Sequence, residues 1–300
     1  FLLALLIVCT VQLSAQTIFI PDVNLRTWLN SAKPNSVDVN GNCDTASWNA
    51  QPPNTVSGLL YQLPNGTVVD LQGIQYLKVQ KLFFQSGLSN SISLNWPGYP
   101  IGIRDLDLRF VDVNLFTGAF LPFPADLQWL LCQNCGFGTI PPFTGVMMWF
   151  IDEDLGGQVL TVPPSVNSLM MDDCNLTALP SMPNMEYLTV NNNPLGVLPN
   201  LPAGLISLQA RNTGLSGLPP LPAVLEDLAV DNNAITTLPS LPTGLKDLSL
   251  SRNQVSSLPA LPYGLNTLDV AYNPMPVLPQ LGPFVRTLNV DSCGMSVINY

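Results

Sequence analysis

The sequence predicts a solenoid. Its expected form is a right-handed superhelix with a short parallel β-sheet on the concave side, extended polyproline-like chain on the convex side and a small helical cap at the N-terminus. Three observations carry this. The phrase Leu-Pro-x-Leu-Pro recurs at Leu198, Leu218, Leu238 and Leu258, loosely at Leu278 as LPQLG, and Ile298 takes the same slot, always in steps of 20 residues. Each period holds one short apolar–polar alternation, as in Leu248-Ser-Leu250, which is the pattern of a half-buried strand. The 29 prolines are about twice the usual share, and they are periodic, which marks an ordered array instead of a disordered chain.

Taken in order, Phe1 to Val8 reads FLLALLIV, and small and polar residues follow up to Ala15. An apolar run this short cannot span a bilayer, and a small residue sits where a signal peptidase cuts. Residues 1–15 are therefore expected to be a signal peptide cleaved after Ala15. It is expected to be truncated at its own start, since neither Met nor a basic residue precedes the apolar run. No later segment has the roughly twenty uninterrupted apolar residues of a membrane helix.

Residues 16–68 are expected to form the cap, because an open solenoid end exposes core. Within them, Ile20-Pro21-Asp22-Val-Asn-Leu25-Arg-Thr-Trp28-Leu29-Asn30 reads as a short amphipathic helix. Pro21 lies near its start, and Leu25, Trp28 and Leu29 share one face. Then Asp38, Asn40, Asn42 and Asp44 alternate oxygen side chains as a calcium loop does. The sixth and twelfth positions of the EF-hand template are Cys43 and Asn49, where Gly and Glu belong. A polar turn is the preferred reading.

Residues 69–300 are the array. One repeat reads Leu245-Lys-Asp-Leu248-Ser-Leu250-Ser-Arg-Asn253-Gln-Val255-Ser-Ser-Leu258-Pro-Ala-Leu261-Pro. Its first position is followed through Val79, Ile103, Leu127, Val146, Val166, Met185, Leu205, Leu225, Leu245, Leu265 and Val285: about eleven repeats, with steps of 24, 24, 19, 20 and 19 residues and then 20 five times. Strands of successive repeats must stack in parallel, about 4.8 Å apart, so that neighbours complete each other's core. Twenty residues leave no room for a return helix, and two prolines in the return would break one. Leu258 and Leu261 type residues anchor the return. After each strand the turning backbone lacks ladder partners. A side chain with donor and acceptor can bridge adjacent turns there. Asn193, Asn233, Asn253 and Asn273 fill that slot, Thr213 substitutes, and Cys135, Cys174 and Cys293 occupy it elsewhere.

This pattern resembles the leucine-rich repeat, over about Val69 to Tyr300. The I-P-D…D-x-N-G opening followed by Asp70-Leu-Gln-Gly-Ile74 looks like the start of secreted bacterial leucine-rich-repeat proteins. The LPxLPxxLxxLxVxxNxL repeat is also similar to that of effectors from enteric pathogens, some of which carry a ubiquitin-ligase domain after their repeats. The resemblance implies a curved array that holds a partner on its concave side. The last repeat shows no polar cap before Tyr300, so further protein is expected beyond it.

Composition narrows the function. The net charge is -10 and there is no histidine. That excludes the basic surface a nucleic-acid binder needs, and with it His-based triads and His-ligated metals. Cys135 and Cys174 sit two repeats apart, too far for a disulfide. Cys132-Gln-Asn-Cys135 is a lone CxxC read as core, not as a metal or redox site. Cys43 has no evident partner. No cofactor is called for. The outward strand columns are small, polar and mildly acidic, and Tyr187, Arg211, Asp227, Asp231, Asp247, Arg252, Asp269 and Tyr272 are the candidate ligand-binding residues of the concave face. Tyr and Arg are the side chains most often dominant at interfaces. The expectation is a non-catalytic, secreted or cell-surface module that binds a protein, with a glycan as the second ligand class. The alternative is the substrate-binding part of a bacterial effector whose enzymatic domain lies outside this chain. Glycan hydrolysis by Asp227, Asp231 and Asp247 ranks last, because nothing in the pattern desolvates them.

Overall fold

The computed structural model describes residues 17–50, 70–83, 94–108, 116–117, 123–133, 145, 147–151, 162 and 164–294. The expected signal peptide, Cys135 and the chain after Gly294 lie outside the described residues.

The cap begins with β1 (Thr17–Phe19), α1 (Val23–Ala32), β2 (Asn42–Asp44) and α2 (Thr45–Asn49). Asp22 caps α1, accepting from the amides of Asn24 at 2.8 Å and Leu25 at 2.9 Å. Pro21 thus falls one residue before the cap, where its missing N–H costs nothing. Leu25, Trp28 and Leu29 are buried, the face the spacing predicts. β1 pairs antiparallel with β2, setting Ile18 opposite buried Cys43. The cap is fastened to the array by side chains. Asp22 accepts from the amide of Asp70 (3.1 Å), Trp48 Nε1 donates to the carbonyl of Lys78 (3.1 Å), and Asn49 accepts from the amide of Lys78 (2.7 Å) while donating to the carbonyl of Tyr76 (3.1 Å).

The array follows as β3 (Lys81–Phe83), β4 (Leu94–Asn95), β5 (Asp105–Asp107), β6 (Phe116–Thr117), β7 (Trp129–Gln133), β8 (Met147–Ile151), β9 (Ser168–Asp172), β10 (Tyr187–Thr189), β11 (Ser207–Gln209), β12 (Asp227–Ala229), β13 (Asp247–Ser249), β14 (Thr267–Asp269) and β15 (Thr287–Asn289). Eleven of these strands form one sheet in the order β3-β5-β7-β8 and on to β15. Every pairing in it is parallel. The register places Leu208, Leu228, Leu248 and Leu268 side by side, and all four are fully buried. At ten of the eleven places the strand starts two residues after the repeat's first position; β8 starts at Met147, and its register with Trp129 and Ser168 moves that repeat's first position from Val146 to Gly145. From residue 174 to residue 286 the returns carry no helix, and Leu258 and Leu261 are half-buried against the core.

Two features depart from the simple repeat. β4 pairs with β6 in a second small parallel sheet, extended by a bridge between Asp70 and Asn95. The early 24-residue repeats have length for a second extended segment that the 20-residue ones lack. The cap's β1–β2 pair also has no counterpart in the expected helix-only cap.

Candidate recognition face

The face is built by two rows of side chains that hold the turns. Asn193 Nδ2 donates to the carbonyls of Met171 (2.7 Å), Val190 (2.9 Å) and Asn191 (3.0 Å), and its Oδ1 accepts from the amides of Cys174 (3.1 Å) and Leu176 (2.9 Å). Asn233, Asn253 and Asn273 repeat this, reaching the carbonyls of Ala210, Val230 and Leu250 in the preceding repeat. Thr213 Oγ1 donates to the carbonyl of Ala210 at 2.9 Å. Cys174 and Cys293 point their thiols at the carbonyls of Asp172 and Val270. Cys43, Cys132, Cys174 and Cys293 are all buried.

A second row was not anticipated. Asp172, Asn191 and Asp231 each use a side-chain oxygen to accept the backbone amide one repeat on, at Asn191 (2.7 Å), Arg211 (2.8 Å) and Ser251 (2.7 Å). Those amides lie just past the strand ends, where no ladder carbonyl reaches them. Asp231 is only 6% exposed. Its carboxylate also accepts from Ser249 Oγ (2.6 Å), Ser251 Oγ (2.9 Å) and Arg211 Nε (2.9 Å). The structure therefore places Asp231 in the framework, with both carboxylate oxygens bonded to the chain itself. Burial holds the Asp172 carboxyl above the ordinary carboxylate range, against its bonds from Asn191.

The turn after each strand from β9 to β15 also holds one residue in the left-handed region. Asp173, Asn192, Asn212, Asn232, Arg252, Tyr272 and Ser292 have φ between 54° and 58°. Asn and Asp tolerate this conformation better than other side chains. The cap loop is a polar turn of the same kind. Asp38 accepts from the amides of Asn40 (2.9 Å) and Asn42 (2.8 Å) and from Asn42 Nδ2 (2.9 Å), and Asp44 caps α2 through the amide of Ala46. Among the described residues no group of three or more His, Cys, Asp or Glu gathers as metal ligands would.

Among solved structures, the chain is similar to YopM from Yersinia enterocolitica WA-314, with a TM-score of 0.54 and 24% identity over 74% of this chain. The solenoid is a leucine-rich-repeat array. This chain spans 57% of that YopM. It is also similar to a Shigella effector leucine-rich-repeat domain (31% identity, 41% of this chain and 48% of that one, TM-score 0.33). A third similar structure is YopM, a leucine-rich effector protein from Yersinia pestis (20% identity, 89% and 97%, TM-score 0.42). No family model matches the chain, and no curated protein matches it.

On this leucine-rich-repeat face the candidate residues divide. Asp227 and Asp247 are register partners on β12 and β13, and Asp227 accepts from Ser207 Oγ at 2.8 Å. Asp269 accepts from the amide of Ala271 (3.0 Å) and from Asn289 Nδ2 (3.1 Å). Arg211 is clamped between Asp231 and Gln209. Tyr187 and Tyr272 protrude, each nearly half exposed, and the Arg252 guanidinium lies 4.4 Å from the Tyr272 ring centroid. One protruding side chain was missed. Trp129 is 44% exposed and stands in the Tyr187 column through the register Trp129↔Met147↔Ser168↔Tyr187. Carrying the outward columns back through the early repeats finds it, together with the Lys81–Asp105 ion pair at 2.6 Å.

Proposed function

We propose that this chain is a non-catalytic recognition module, secreted or displayed at the cell surface, that binds a protein through its concave face. One observation carries the reading. Eleven strands in a single sheet set out ordered columns of mostly small polar side chains, from which the aromatic groups of Trp129 and Tyr187 project, with Tyr272 at the turn edge beside them. Projecting Trp and Tyr on a polar, rigid ground is the composition of an interface anchor. Of the carboxylates that a hydrolase would need, Asp231 is engaged with the chain itself through four bonds and Asp227 accepts from Ser207 Oγ. The apolar N-terminal segment supports export.

The test is an array of purified extracellular proteins beside a glycan array. Protein binding that is lost on combining Tyr187→Ala with Asp247→Arg supports the reading. Protein binding that survives those changes, or hits on glycans alone, overturns it.

A second reading, the substrate-binding part of a bacterial effector with a ubiquitin-ligase-like domain elsewhere, is favoured by the 20-residue LPxLP period. A phosphatase reporter that is active only after export, placed behind the leader of the full-length gene product through residue 20, separates the two. Export supports the surface module, and a silent reporter supports the effector.

A further inference from the structure

Two neighbouring turns break the chemistry of the left-handed column. Asn192, Asn212 and Asn232 suit that backbone, but the next two repeats place Arg252 and Tyr272 there, at φ 55° and 57°. Both are exposed, so no core packing calls for them, and Arg252 stacks over Tyr272 at 4.4 Å. Backbone strain kept at a surface position is a pointer to use.

The cations of this region say more. Between residues 164 and 294 they are Arg211, Lys246, Arg252 and Arg286. Arg211 pairs with Asp231 and Lys246 with Glu226, and Arg286 lies just before β15, away from the left-handed column. Arg252 instead faces a ring, and a guanidinium held over an aromatic face keeps its fork of N–H donors for a carboxylate. Along the same edge runs a row of side-chain amides. Asn212 Nδ2 donates to Asn192 Oδ1 and Asn192 Nδ2 to Asp173 Oδ2, both at 3.1 Å, and exposed Asn232 stands between this pair and Arg252.

We propose that this edge is a docking line for an extended peptide segment of a protein partner that carries one Asp or Glu. The segment's backbone amides lie along Asn192, Asn212 and Asn232. Its carboxylate is taken by the Arg252 fork, with the methylene stem of that residue against Tyr272. A polyacid is disfavoured, because the chain's own charge of -10 repels it at a distance. A single carboxylate in a neutral segment meets only the local cation. An acidic polysaccharide would supply carboxylates but no row of amides to match the asparagines. The inference rests on the protein-recognition reading and names the partner chemistry within it.

The experiment is selection of a displayed library of random 12-residue peptides on the whole chain, with polygalacturonate as a parallel probe. The selected peptides should share one acidic position. Arg252→Asn and Tyr272→Asn should each weaken them about tenfold, the scale of one charge-assisted contact. Arg252→Glu should shift the selection toward Lys or Arg. Asn is native at this slot in three adjacent repeats, so both Asn variants should melt no lower than the parent. Peptides without a shared acidic residue, affinity unchanged in Arg252→Asn, or no selected peptide at all would each overturn the proposal. Polygalacturonate binding that Arg252→Asn abolishes, with no peptide selected, would assign the edge to glycans instead. Peptides that ignore Arg252→Asn but are lost in Asp247→Arg would overturn this edge while leaving recognition by the strand face standing.

Discussion

Asn253 shows how much one side chain can hold. Its Nδ2 donates to the carbonyls of Val230, Leu250 and Ser251, and its Oδ1 accepts from the amide of Ile235. Leu fits the volume but strands those groups in a dry turn. Asn253→Leu should therefore cost about 2–4 kcal/mol, read as a lower denaturant midpoint. At the adjacent position the sign reverses. Arg252→Asn relieves a left-handed backbone and should raise stability by roughly 0.5–1 kcal/mol, with the midpoint moving up. The asparagine slot is visible in the sequence because it recurs every 20 residues. The row of Asp172, Asn191 and Asp231 was not, because its side chains vary in type and read as solvated positions. Only the backbone shows that each accepts an amide from the next repeat.

Among the elements, the cap and the last return are the irregular ones. Burial, with the Asp44 carboxylate beside it, pushes the Cys43 thiol from 9.0 up to about 11. The unfolded chain ionises first, so the native state loses stability as pH rises from about 9 to about 11. Two pH units correspond to roughly 2–3 kcal/mol. A melting series across that range should fall, and Cys43→Ala should flatten it. In the last return, Gly282 stands where earlier repeats carry Pro202, Pro222, Pro242 and Pro262. A methyl on Gly282 would come within 2.7 Å of the Tyr263 carbonyl oxygen, whereas one on Gly264 meets nothing within 4 Å. Gly282→Ala should cost about 1–3 kcal/mol and loosen amide-exchange protection around β15, while Gly264→Ala should not. The cap helix was legible from its apolar spacing. The β1–β2 and β4–β6 pairs were not, because strands of two or three residues carry too few alternations to register as a pattern.

For the molecule as a whole, the period is the organising quantity. Removal of residues 225–244, one full repeat, should leave a shorter array with the same far-ultraviolet spectrum per residue and a cooperative melt. Removal of residues 225–234 takes half a turn, faces polar columns inward, and should abolish the cooperative transition. The register of the long sheet was readable in advance from β9 onward, where the steps settle at 19 and 20 residues, and was missed by one residue at β8, where the repeat lengths are uneven. What the array binds was not readable, since outward columns are free to vary without disturbing the stack.

That single unbranched stacking order has a mechanical side. A load applied across the two ends would be borne by the strand-to-strand bonds in series, with no crossover to share it. The weakest turn would give way first and its neighbours would hold. Each release in the regular part of the array would free 20 residues, about 60 Å of slack at extended-chain length. Tethered between two surfaces, the protein would pay out in even steps under tension, like a spring uncoiling link by link.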